Sequence, residues 1–438
     1  MYKREEDKLT EYKHSFDDIN VPLDLLDDAI LSGFQKAKGE KAGKPQKRRM
    51  LFSFMAAAIL FLGFFTSIKL SPAFASYVAV IPGMEKVIEL IRGDKGRMLA
   101  IENDYYQEIG VSQEKNGLEI TIDGAIADEN GLVLFYSVES DKKQKEVILE
   151  EAGLFDQNGQ KLNWSSASIG THHSSQEGET FYNGSLEYFF DTPLQQKDFE
   201  LKLKVKSDQQ NADYHFSFTL NKDIKAKKTY EINKTLSIEG QKVTFVEADI
   251  YPLRVAVHVR MDPANSKKLL NFDDIRLVDE NGDVWNKINN GVFASRISEN
   301  EAILYLQSNY FKNPEKLYLE VNKIQAIDKS DTFVVVDTEK EEFVKQPSGN
   351  QLYEFKVEEN YLLFKLQTKE EFTAFPFGAI TDGNGKEMRP TQTEMVNHEG
   401  EVELRVLIPD LENVTSPINL ELSFFPTWIE GKERVRIK

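Results

Sequence analysis

Residues 199–220 read FELKLKVKSDQQNADYHFSFTL. Phe199, Leu201, Leu203 and Val205 alternate with Glu200, Lys202, Lys204 and Lys206. After a polar stretch, Tyr214, Phe216, Phe218 and Leu220 alternate again. Successive side chains of a strand point to opposite faces, so each run has one wet and one dry side, and the pair predicts a hairpin. The same period recurs at Leu118, Ile120 and Ile122, at Val255, Val257 and Val259, at Val402, Leu404, Val406 and Ile408, and at Ile418, Leu420, Leu422 and Phe424. Many short strands with one apolar face predict a mainly β fold, with two or three antiparallel β-sandwich, Ig-like units.

The tetrad Asp-x-Asn-Gly occurs at Asp128–Gly131, Asp156–Gly159, Asp279–Gly282 and Asp382–Gly385. Its carboxylates invite a calcium reading, but the spaced oxygens and distal Glu of a calcium loop are missing. Asn and Gly both tolerate positive φ, so these segments are expected to be turns.

Residues 50–68, MLFSFMAAAILFLGFFTSI, carry no charge. As a helix they would span roughly 28 Å, close to the hydrocarbon thickness of a bilayer. Seven basic residues, from Lys36 to Arg49, precede the segment within fifteen positions, whereas only Lys69 follows it. That asymmetry places the N-terminus in the cytoplasm and the C-terminal bulk outside the cell membrane. Ala73-Phe74-Ala75 has the form of a signal-peptide cleavage site. The long leader and long apolar run favour a retained single-pass anchor instead.

Within the leader, Asn20-Val21-Pro22 followed by LDLLDDAILSGFQKAK predicts an amphipathic helix over 21–38. Asp24, Asp27 and Asp28 suit its N-terminal end, and Lys36 and Lys38 its C-terminal end. Leu23, Leu26, Ile30 and Phe34 form an apolar stripe. An arm of 49 residues has no core in which to bury it, so the stripe needs a partner protein, another copy of itself or the membrane surface. Asp24, Asp27 and Asp28 would face anionic headgroups, which favours a partner protein.

These readings divide the chain into a cytoplasmic arm (1–49), a transmembrane helix (50–69), a juxtamembrane helical segment (70–110) and three β units (111–228, 229–345 and 346–438). The absence of cysteine excludes disulfides, thiolate metal sites and cysteine nucleophiles. A formal net charge of −18 opposes direct nucleic-acid binding. The six histidines are scattered, and no zinc-protease, nucleophile-elbow, P-loop or dinucleotide motif is present. His172-His173 falls in a Ser-rich stretch expected to be an exposed loop. No enzyme, cofactor or metal is expected.

Several segments carry a family resemblance: VPLDLLDDAILSGFQKAK (21–38), SPAFASYVAVIPGMEKVIELI (71–91), GLEITIDGAIADENGLVLFYSV (117–138), IEGQKVTFVEADIYPLRVAVHV (238–259) and RLVDENGDVW (276–285). The chain resembles membrane-anchored anti-sigma-factor-like proteins of Gram-positive, Bacillus-like bacteria, which have an uncharacterised extracytoplasmic domain beside the span. The resemblance implies that the arm sequesters an extracytoplasmic-function sigma factor through Leu23, Leu26, Ile30 and Phe34, and that an envelope signal releases it. Many such proteins bind zinc in a His/Cys motif, but this arm has only His14 and no cysteine. The competing expectation is an envelope-binding or adhesion protein whose function lies wholly in its β modules. The extracellular ligand is not specified by the sequence.

Overall fold

The computed structural model describes residues 84–438, apart from 170–171, 209 and 289–292. The predicted arm helix, its stripe Leu23, Leu26, Ile30 and Phe34, and the apolar segment 50–68 lie outside the described residues. Among those described, no helix is long and apolar enough to cross a membrane. The fold is mainly β, with multiple antiparallel sheets.

Two short helices come first, α1 (Met84–Ile91) and α2 (Lys95–Glu102). Met84, Val87 and Ile91 of α1 are buried. Gly93 falls between the helices, whereas Gly96 lies inside the first turn of α2. It is there for space: a Cβ at residue 96 would come within 2.5 Å of the Ser308 backbone nitrogen.

The first β body comprises β1 (Gln107–Lys115), β2 (Leu118–Ala127), β3 (Gly131–Asp156), β4 (Ser166–Ile169), β5 (His172–Phe189), β6 (Asp198–Ser207) and β7 (Asn211–Thr219). One continuous sheet holds them, with β3 shared: residues 131–139 pair with β5 and residues 147–156 with β6. The sheet curls until β7 lies against β1, where His215 N donates to Gln113 Oε1 (3.0 Å), and Tyr214 Oη donates to the Leu118 carbonyl at the start of β2 (3.0 Å). This body is therefore one rolled sheet, where two separate sheets were expected. The predicted 199–220 hairpin is β6–β7, with Phe199 opposite Phe218 and Leu203 opposite Tyr214. Asn116-Gly117 joins β1 to β2 with φ of 50° and 80°, both positive as a type I′ turn requires.

The remaining strands are β8 (Lys228–Ile238), β9 (Gln241–Ile250), β10 (Arg254–Met261), β11 (Lys267–Asp279), β12 (Val284–Asn286), β13 (Ala294–Ser298), β14 (Glu301–Gln307), β15 (Leu317–Asp328), β16 (Phe333–Asp337), β17 (Glu342–Lys345), β18 (Leu352–Glu358), β19 (Tyr361–Gln367), β20 (Phe377–Thr381), β21 (Glu387–Met388), β22 (Gln392–His398), β23 (Glu401–Leu407), β24 (Ile418–Leu422) and β25 (Trp428–Arg436). Sheets β13-β14-β10-β9-β8 and β12-β11-β15-β25 share one hydrophobic core, centred on residues such as Val257, Trp285, Leu306 and Leu319. Sheets β17-β16-β24-β20-β21 and β18-β19-β23-β22 share another, with Val334, Phe364, Leu404 and Leu420.

The boundary expected at 346 does not divide these cores. Strands β16 and β17 precede it yet belong to the last body, while β25 returns to pair with β15 in the middle one. Residues 346–351 form a turn-rich connection, and long-range strand pairing sets the division.

The later three Asp-x-Asn-Gly tetrads fold alike. Asp156, Asp279 and Asp382 each accept the backbone N–H two residues on (2.9 Å) and four residues on (2.8 Å). Gly159, Gly282 and Gly385 take φ of 75°, 82° and 79°. Each carboxylate is thus occupied in closing its own turn.

Candidate functional site

The first tetrad behaves differently, and it opens onto the most heavily charged buried region among the described residues. Asp128 Oδ1 accepts from Asn130 N (2.8 Å) and Gly131 N (2.8 Å), but Oδ2 crosses to the second body and accepts from Leu253 N (2.8 Å). Asn130 completes the clamp: its Oδ1 accepts from Arg254 Nε (3.1 Å) and Nη2 (2.8 Å), and its Nδ2 donates to the Phe190 carbonyl. Gly131 sits here for clearance, since a Cβ would meet the Phe189 ring at 2.7 Å. A local turn has become a docking element.

Arg254 lies at the start of β10, where alternation with Val255 sends it to the polar face alongside His258 and Arg260. Arg260 is exposed as that pattern predicts; Arg254 is buried because the first body covers it. Its guanidinium is sandwiched between Phe189 (3.6 Å) and Tyr305 (3.7 Å). Among the described residues Nη1 has no hydrogen-bond partner, and the two rings cover the faces of the cation. Burial holds the Arg254 pKa below the usual range, against opposing pulls from Tyr305, Asp128 and Tyr251.

A second buried cluster fixes the helices to the same junction. Asp94 caps α2 by accepting from Arg97 N (3.0 Å) and also contacts Arg97 Nε (3.1 Å). Arg97 forms a bidentate pair with Glu187 of β5, both bonds at 2.7 Å. Burial raises the Asp94 pKa, with Arg97 pulling the other way. For Arg97, burial lowers the pKa, but Glu187 and Asp94 outweigh it and hold the guanidinium charged. The far side of the helical segment is tied to the second body: Gln307 Nε2 donates to the Gly93 carbonyl (2.9 Å), and the Lys95 ammonium lies 4.3 Å from the Trp285 ring centre. The helices are thus clamped to both of the first two bodies. The arrangement holds no nucleophile–base pair; its chemistry is that of a lock.

Burial pushes the Asp128 carboxyl from its ordinary 3.8 up to about 6, despite the amides that favour its charged form. A raised folded pKa means the native state binds the proton more tightly than the unfolded chain. The contribution is therefore full at low pH and lost as pH rises through about 6. Wild-type stability is expected to decline relative to Asp128→Asn between about pH 4 and pH 7, by up to about 3 kcal/mol. Urea unfolding of both chains across that range checks it; a gap independent of pH contradicts it.

A separate cleft of about 430 Å³ lies between the second and third bodies, lined by Leu269, Phe272, Phe293 and Phe424 and crossed by the Lys268–Glu421 ion pair (2.6 Å). Its mixed apolar and charged lining suits an amphipathic ligand. His172 and His173 are found in β5 rather than in a loop. His172 Nε2 contacts Glu146 Oε1 (2.8 Å), and His173 Nε2 meets Tyr136 Oη (2.8 Å) beside Tyr182. Among the described residues, no three His, Asp or Glu side chains converge as metal ligands.

Sequence reasoning missed Arg97, Glu187, Asn130 and Arg254. Asp94 three residues before Arg97 was a visible capping signal, but the partners 90 and 124 positions away were not.

The fold and junction define a multi-body, mainly β protein whose helical segment is built into the first two bodies. Residues 44–140 match the domain of unknown function DUF4179, and residues 227–358 match the family of unknown function DUF5643. No curated protein matches the chain. The crystal structure of the conserved domain protein from Bacillus anthracis aligns over 55% of this chain and 84% of its own length, with 18% identity and a TM-score of 0.39.

Proposed function

We propose that this chain is a single-pass membrane regulator, an anti-sigma factor whose cytoplasmic arm sequesters an extracytoplasmic-function sigma factor and whose β region senses an envelope signal. The observation that carries the reading is the uncharged segment 50–68 with basic residues concentrated on its N-terminal side. The DUF4179 match supports it, because one family model runs from residue 44, ahead of the apolar segment, to residue 140 in β3. Segment, helices and first strands thus recur together, which fits a retained anchor better than a removed leader. The paired sheets of the second and third bodies are read as Ig-like sandwich modules of the sensing region.

In this reading the junction at Arg97 and Arg254 links sensor to anchor. Helices clamped to two bodies at once move with any change between those bodies, and the apolar segment lies a short way before them in the chain. A cysteine-free sequence makes the topology easy to test. Gln157→Cys is expected to react with a membrane-impermeant maleimide in intact cells, and Ser15→Cys only after permeabilisation. Labelling of Ser15→Cys in intact cells, with Gln157→Cys protected, overturns the orientation.

A further inference from the structure

Free strand edges expose unpaired backbone amides and carbonyls, and proteins blunt them with bulges, short lengths, charges or a covering element. Nearly every strand that ends a sheet among the described residues is blunted. Strands β1 and β7 lie against each other, and β8 lies against β25. Strand β18 carries a register shift between Tyr353 and Lys356, and β13 one between Arg296 and Ser298. Strands β4, β12, β17 and β21 have four residues or fewer.

Strand β22 is the exception. It runs seven residues, QTEMVNH, in unbroken register with β23, from Gln392 opposite Leu407 to His398 opposite Glu401. It contains no Lys, Arg, Pro or Gly. Val396 near its middle is 41% exposed, one of the few large apolar side chains left so open. The faces follow from the register. Met395 lies opposite the buried Leu404 and packs on the third core, whereas Glu394, Val396 and His398 lie opposite Arg405, Glu403 and Glu401 on the solvent face.

We propose that β22 is a pairing edge through which two copies of this chain join antiparallel, about a two-fold axis at Val396. Electrostatics selects the copy and the register. Centred on Val396, the pairing places Val396 against its twin and sets the Glu394 carboxylate opposite the His398 imidazole, twice by symmetry. Centred on Glu394, it would oppose two carboxylates. A parallel in-register pairing would stack each charge on its like, which is unfavourable. The four-stranded sheet β18-β19-β23-β22 then continues into its copy. A single strand edge buries less than the roughly 1,600 Å² of a standard interface, so the association is weak and depends on concentration.

The test uses single cysteines in the full chain, which has none of its own. Directly opposed residues of antiparallel strands have Cβ atoms about 4.5–5.5 Å apart, at the edge of disulfide reach. On mild oxidation, Val396→Cys is expected to cross-link to itself several-fold more than Val344→Cys, a control on β17 that is 59% exposed. Glu394→Cys and His398→Cys chains are expected to link to each other when mixed, and neither to itself. Wild-type chain is expected to show concentration-dependent mass in light scattering that Val396→Lys removes. Self-linking of Val396→Cys no greater than the control overturns the proposal. So does exclusive linking of Val396→Cys to a different protein, which would make β22 a docking edge for a foreign strand.

Discussion

Arg97→Met is expected to destabilise the β region by about 3–5 kcal/mol, because it removes one partner of a buried ion pair and leaves the other charge without a counterion. Arg97 and Glu187 side chains are each only 7% exposed, and Asp94 shares the same cation. Removing the guanidinium strands two carboxylates in a region from which water is largely excluded. The loss also unfastens α2, since Arg97 is the charged contact between that helix and β5.

A double variant separates this cause from lost packing. In Arg97→Met with Glu187→Leu, two apolar side chains of similar volume replace the pair, and most of the lost stability is expected to return. Urea unfolding of the single and double variants measures the difference. Equal losses in both would mean that the pair stabilises through its shape rather than its charge. Asp94 must be considered in either case, since its carboxyl remains after both changes and its raised pKa lets it take up a proton more readily than an ordinary aspartate.

The strands were legible because alternation is a local signal. Phe199 to Leu220 needs no partner to reveal its two faces, and the observed β6–β7 register follows from it. The three self-closing tetrads were legible for the same reason: the amides they bind lie within four residues. The first tetrad carries the same letters, but its role depends on Leu253 and Arg254, more than 120 positions away. Arg254 shows the limit most clearly. Its place on a polar strand face predicted exposure, and only the packing of the first body against the second reveals a cation held between two rings. The rolling of the first sheet and the return of β25 to β15 are likewise properties of long-range pairing that no window of sequence contains. The His172-His173 stretch was misread for a further reason: serines and charges favour loops, yet a strand with one solvent face accepts them.

The arm prediction has the largest expected functional effect. Leu23, Leu26, Ile30 and Phe34 make one apolar stripe in a segment too short to bury it alone. If a sigma factor covers the stripe, Leu26 and Ile30 each contribute about 1.5–3 kcal/mol of buried apolar surface. Replacing both with aspartate therefore weakens binding by at least about a hundredfold. The β region is expected to keep its stability, because its described cores are built from residues between Met84 and Ile437.

Affinity capture of the full chain from its own cells, solubilised in mild detergent, tests the central claim most directly. Wild-type chain is expected to retain a sigma factor, and Leu26→Asp with Ile30→Asp to lose it while transcription of that sigma factor's genes rises. A wild-type chain that retains none, or a double variant that retains as much, would contradict the regulator reading.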